Sequence, residues 1–146
     1  MITTEDVHKA VAEKLKAVPG IKTFSRRWEQ WNNKAPPQMP ALYMVSRSST
    51  PRTTQGLPQV WTITIDLVVY VNNGGGNNLI VSKLLNEVKD NIRYALRPNA
   101  VTGIQDLGFE DNVAYCRLGA FEDQEVLEGN VSSCVGSIEI LFAGCY

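Results

Sequence analysis

Residues 60–71, VWTITIDLVVYV, constrain the fold more than any other part of the chain. Apolar side chains take every second position: Trp61, Ile63, Ile65, Leu67, Val69 and Val71. Successive side chains of an extended strand point to opposite faces, so this run is a strand with one wholly apolar face. The alternate set is Thr62, Thr64, Asp66, Val68 and Tyr70, so the second face is only partly wet. Such a strand belongs in a sheet, with another layer packed over its apolar side.

Two segments have the period of that covering layer. Val7, Ala10, Val11, Ala12, Leu15 and Val18 fall at helical spacing. Thr3 with Asp6 resembles a capping pair, acids occupy the first turn, and Pro19-Gly20 stops the helix. The second helix is predicted over 79–97, with Val81, Leu84, Leu85, Val88, Ile92, Ala95 and Leu96 as its stripe and Pro98 beyond its end. The preceding NNGGGNN reads as a flexible linker in which Asn77 or Asn78 caps this helix.

The remaining strands are shorter or less regular. Residues 21–28 suggest a short strand, and the stretch ending in Pro36, Pro37 and Pro40 a loop. Residues 41–47 read as a strand. Residues 46–58, SRSSTPRTTQGLP, are mostly polar and read as a long exposed arm between two strands of a hairpin. Residues 113–127 and 131–143 form the closing strands, with Gly129 and Asn130 as the turn and Ile138, Ile140 and Phe142 on one face. The order is helix, three strands, helix, two strands. The expected fold is α+β: an antiparallel sheet of about five strands, with two amphipathic helices packed on one face, in one domain over 1–146.

A chain of 146 residues with 44% apolar and 20% charged residues can bury a core without metal or disulfide help. The net charge of −1 gives no basic excess for neutralising many phosphates. Cys116, Cys134 and Cys145 are odd in number and lack a C-x-x-C, which argues against a disulfide framework and for a reducing compartment. The polar start MITTEDVHKA does not read as a signal peptide, and no apolar run is long enough to span a bilayer. The expectation is a protein made in a cytoplasm, with no membrane partner.

Reactive groups are sparse. His8 is the one histidine, and its place on the first helix suggests an exposed or half-exposed residue rather than a base in a pocket. The cysteines have no zinc spacing; Cys116 and Cys134 lie on the two closing strands and are expected to be small buried residues near one another. The acidic pairs Glu5–Asp6, Glu110–Asp111 and Glu122–Asp123 read as solvated turns. The triple glycine at 74–76 lacks the G-K-[ST] ending of a phosphate loop. No catalytic residue, cofactor or metal site is predicted. Trp28 and Trp31, beside Arg26 and Arg27, fit interface anchors, a role in which Trp and Arg are enriched. Trp61 belongs to the core side of its strand.

The second half of the chain, LGFEDNVAYCRLGAFEDQEVLEGNVSSCVGSIEILF, resembles tail-terminator and tail-completion proteins of long-tailed bacteriophages. Leu107-Gly108 stands for the turn, residues 113–119 for a strand with an aromatic and an arginine, and 138–142 for the closing strand. Phe109 departs from the second glycine of that turn. In the first half, the P-A-L-Y stretch at 40–43, the G-L-P at 56–58 and the W-x-x-x-x-D-L-x-x-Y strand agree in layout. The resemblance implies a protomer of a ring, commonly a hexamer, that caps the tail tube, ends its polymerisation and faces the neck of the filled head. Its implied partners are copies of itself, the tube protein and a neck or connector protein, with DNA passing through the lumen and the virion as its location. Within that reading Arg47, Arg52, Thr53 and Gln55 on the arm, with Trp28 and Trp31, are the expected inter-subunit contacts. The alternatives are a neck or head-completion connector, and a nucleic-acid- or small-ligand-binding module using the sheet.

Overall fold

The computed structural model describes residues 2–27, 39–52, 59–72, 78–123 and 131–144, and for 78–82 the backbone alone. The elements run α1 (Thr4–Lys16), β1 (Thr23–Ser25), β2 (Ala41–Arg52), β3 (Val60–Asn72), α2 (Asn78–Ala95), β4 (Val113–Leu118), β5 (Glu122–Asp123) and β6 (Val131–Ala143), with a 3-10 turn at Glu110–Asn112 before β4. The class is α+β, with six strands in one mixed sheet.

The order across the sheet is β1-β2-β3-β6-β4, and β5 also pairs with β6. β3 and β6 form the centre, in register from Val60↔Ala143 to Asn72↔Val131. β2 flanks β3 and β4 flanks β6, both antiparallel. The expectation of a purely antiparallel sheet fails at β1, which lies parallel to β2 through Thr23↔Ala41 to Ser25↔Tyr43. β1 and β2 are joined by a long connection, which frees them from the antiparallel order that a tight turn imposes.

Ile63, Ile65, Leu67, Val69 and Val71 point to one face, as their alternation requires, and are fully buried. Ile138 and Ile140 stand opposite Ile65 and Ile63. Over them pack Val7, Val11, Ala12 and Leu15 of α1 and Leu85, Val88 and Ile92 of α2. Both helices thus cover the same face. The capping pair is present: Asp6 N–H donates to Thr3 Oγ1 at 3.1 Å, and Thr3 N–H donates to Asp6 Oδ2 at 2.9 Å. Trp61 packs half-buried against the core.

The polar run from Ser48 to Arg52 is strand, not arm, and the rest of the expected arm, 53–58, lies outside the described residues. β2 continues to Arg52, paired with β3 through Ser48↔Thr64, Thr50↔Thr62 and Arg52↔Val60. Polarity misleads here because an edge strand needs no apolar face when one side of it is solvated. A bulge falls between Ser46 and Ser48. Residues 113–127 are also not one strand: β4 ends at Leu118, and Glu122–Asp123 is a short second pairing with β6. The break follows from Gly119 and Phe121. Gly119 N–H donates to Ser137 O at 2.7 Å, and the Phe121 ring lies over Gly136. Lys89 of α2, almost buried, meets the Asp123 carboxylate, and the Arg93 guanidinium sits 5.7 Å from the Phe121 ring centre. Cys116 and Cys134 are not neighbours, because Cys116 faces Ile140 while Cys134 faces Val69 and Asp123. The linker glycines 74–76, Asn77 and the turn at Gly129 and Asn130 lie outside the described residues.

A methyl group on Gly136 would fall 2.5 Å from Phe121 Cε1. Gly136→Ala is therefore expected to destabilise the chain by about 1–3 kcal/mol in urea titrations, and most of that cost should vanish when Phe121 is also replaced by Ala.

Candidate functional site

The face of the sheet away from the helices has two halves. Near the β1 end it is apolar: Met39, Ala41, Tyr43, Tyr70 and Val131 form a second buried cluster. Tyr43 and Tyr70 meet edge to face with ring centres 5.8 Å apart. Toward the other end the face turns polar. Residues paired across strands share a face, so the register brings together Ser48, Thr50, Thr62, Thr64, Asp66, Ser137, Glu139, Tyr115 and Arg117.

Two ion-linked groups organise this half. Tyr115 Oη donates to Glu139 Oε1 at 2.6 Å, and the Arg117 guanidinium lies 3.9 Å from the Tyr115 ring centre. The hydrogen bond to Glu139 raises the phenol above its ordinary value, because losing its proton would set two anions together. Arg47 Nη1 is 3.7 Å from Asp66 Oδ1, with Arg47 exposed and Asp66 half-buried, so this long and partly solvated pair contributes little to stability. Beside it is a shallow depression of about 420 Å³, lined by Arg47, Asp66, Ala120, Glu122, Val135, Gly136 and Ser137.

The edge bordering this face is bare. β1 covers β2 only as far as Tyr43. Residues 46–52 are all exposed, and among the described residues no strand lies on their outer side. Arg47 and Arg52 sit on this edge. The other four sequence-predicted contact residues, Thr53, Gln55, Trp28 and Trp31, lie outside the described residues. The structure thus joins two of the six in one strand edge. Sequence reasoning missed Tyr115 and Glu139. The alternation around Cys116 and Ile140, both buried, places these two residues and Arg117 on the opposite face and carries that signal.

Groups with reactive potential sit elsewhere. His8 is buried, 7% exposed, against the expectation of an exposed residue. It falls one residue after Val7 on the inward stripe, and the stripe is wide enough to take it in. Among the described residues its Nε2 has no hydrogen-bond partner. Burial, then the Arg26 charge, holds the imidazole below its ordinary value, against the opposing pull of Glu5. Arg26 itself forks onto Glu5 with bonds of 2.6 and 3.0 Å, tying the end of β1 to α1. Glu122 and Asp123 form a short strand, not a turn. Burial pushes the Cys116 and Cys134 thiols up to about 12, far from the thiolate that nucleophilic or metal chemistry needs. Among the described residues no three His, Cys, Asp or Glu side chains are grouped to hold a metal ion, and no helix is long and apolar enough to cross a membrane.

The connector into β4 is strained at defined points. Leu107 and Glu110 have φ of 55° and 53°, and Gly108 has 84°. Leu107 takes the left-handed conformation and is buried, which offsets a cost of roughly 1–2 kcal/mol. Gln105 and Asp106 hold the turn, accepting from Leu107 N–H at 3.0 Å and Gly108 N–H at 2.9 Å. Beyond it, Glu110 and Asp111 stand exposed at the head of β4.

No protein-family description matches the chain, and no curated protein matches it.

Two outcomes follow from the buried groups. The folded state resists protonating His8, so the unfolded state binds more protons below its ordinary 6.5, and stability should fall as the pH drops through that value. Glu5 and Asp6 lie below 4.5 and 3.8, so their loss comes only at more acid pH. His8→Leu should flatten the stability curve between about pH 7.5 and pH 5 in denaturant titrations. Alkylation of the folded protein near neutral pH, mapped by peptide mass, should leave Cys116 and Cys134 unmodified.

Proposed function

We propose that this chain is a structural protein of a phage virion, a ring protomer that caps the tail tube, ends its polymerisation and joins the tail to the neck. The observation that carries the reading is the strand edge at 46–52, exposed along its whole length and bordered by a polar sheet face. A row of unpaired backbone groups is a template for another strand. A protein working through extended contact needs such an edge, and it needs no reactive pocket. The described residues fit this: the Cys116 and Cys134 thiols are buried and held in the protonated form, and His8 is buried on the inward side of α1. The sequence resemblance to tail-terminator proteins supplies the assembly, with the tube protein and a neck protein as partners and DNA in the lumen. A near-neutral net charge of −1 lets DNA pass without sticking.

A nucleic-acid-binding module is the second reading, favoured by Tyr115 and Arg117 on the open face. Stacking needs a bare aromatic face. Arg117 already covers one face of the Tyr115 ring, and Glu139 takes its hydroxyl. A neck or head-completion connector is the nearer competitor, since it would use the same edges.

Electron micrographs of the purified chain should present closed rings. Light scattering should give a multiple of 16.2 kDa that single-stranded DNA does not shift. A monomer that binds DNA with steep salt dependence would overturn the reading in favour of the module.

A further inference from the structure

The sheet has a second bare edge. β4 lies at the far end of the strand order, and among the described residues nothing pairs with its outer side. The two bare edges stand at the same height. Ser48 faces Thr64, Thr64 faces Glu139, and Glu139 faces Arg117. Thr50, Thr62, Leu141 and Tyr115 form the next such row on the same face. Each edge begins its regular stretch after an irregularity, between Ser46 and Ser48 in β2 and between Val113 and Tyr115 in β4.

Direction matches as well as height. Three successive antiparallel pairings separate β2 from β4, so the two run opposite ways. A copy displaced sideways along the sheet therefore brings its β2 against β4 in antiparallel sense, continuing the alternation. Charge also matches at the Arg52 end, where Glu110 and Asp111 stand at the head of β4; toward the other end Arg47 is paired with Asp66, and Arg117 of β4 lies over the Tyr115 ring. Pro51, next to Arg52, is level with Val113 through Trp61 and Phe142, so the arginine end of one edge meets the acidic end of the other.

We propose that residues 48–51 of β2 pair antiparallel with residues 113–117 of β4 in a second copy of this chain, with Arg52 drawn to Glu110 and Asp111 of that copy. The contact rests on the ring reading and names its partner surface. It is heterologous, since each protomer offers one edge of each kind, and it closes when the rotation per copy divides a full turn. The polar side chains of 46–52 and the single donor lost at Pro51 keep the free edge from pairing indiscriminately. Affinity comes from the ladder and the charge pairs, repeated at every junction.

The experiment uses the full chain under mild oxidation. Ser48→Cys and Arg117→Cys lie on the open face, as do Thr50 and Tyr115 two residues along, which allows for the stagger of a closed sheet. Ser48→Cys/Arg117→Cys, Thr50→Cys/Arg117→Cys and Ser48→Cys/Tyr115→Cys are compared with the single variants on denaturing gels. A ladder of covalent multimers is expected from at least one double variant and from no single one. Separately, Arg52→Glu or Asp111→Arg should weaken assembly by about tenfold or more, and Arg52→Glu/Asp111→Arg should restore it. A covalent dimer from Ser48→Cys alone would mean β2 pairs with β2, and would overturn the proposal. Rings that persist unchanged in both charge variants, with no ladder, would overturn this contact and leave the ring reading standing. A wild-type chain that stays monomeric at millimolar concentration would sink both.

Discussion

The pairing of β3 with β6 is the constraint on which the rest of the structure depends. Each strand has 13 residues, and the two run in register from end to end without a bulge. A shift of one residue would turn the inward set of one strand, Ile63, Ile65 and Leu67 of β3 or Ile138 and Ile140 of β6, from the helical layer to the open face. Exposing such side chains costs about 1.5–3 kcal/mol each, so the register is fixed by burial before any outer strand adds to it. β2 and β4 then inherit their heights from this pair. That shared reference makes the two bare edges level, although they are far apart in sequence.

The period-2 run of β3, the helical stripes and the final strand were legible because each buries one continuous face, and the spacing of apolar residues records it. The polar half of β2 was not legible. Among the described residues, 46–52 are strand through backbone bonds to β3 alone, and both of their side-chain faces are exposed. No alternation is then required, and the composition is that of a loop. The parallel direction of β1 was not legible for a similar reason: three half-buried residues carry too little pattern to state parallel pairing. The break after β4 is a packing decision between Phe121 and Gly136, which no local pattern records.

The site was legible in part. Arg47 and Arg52 share one exposed edge, but up to Arg52 the expected exposed arm is a strand. A strand presents its backbone groups at fixed spacing, which a loop does not, so the surface is better defined than the sequence suggested. Tyr115, Arg117 and Glu139 could have been found from the buried Cys116 and Ile140 between which they alternate. His8 was misplaced because an imidazole at the border of a helical stripe has no spacing that marks it as inside or outside.

The central pair also sets an order of events during synthesis. β3 leaves the ribosome with β2 as its only available neighbour, while α2, the connector and β4 all separate it from β6. Until β6 arrives, the apolar face of β3 has only half its sheet, and one of its long sides lies open. Pairings this distant along the chain form late and slowly. The nascent hairpin of β2 and β3 therefore has one polar rim, along β2, and one apolar flank, along β3, that stays unshielded until β6 arrives.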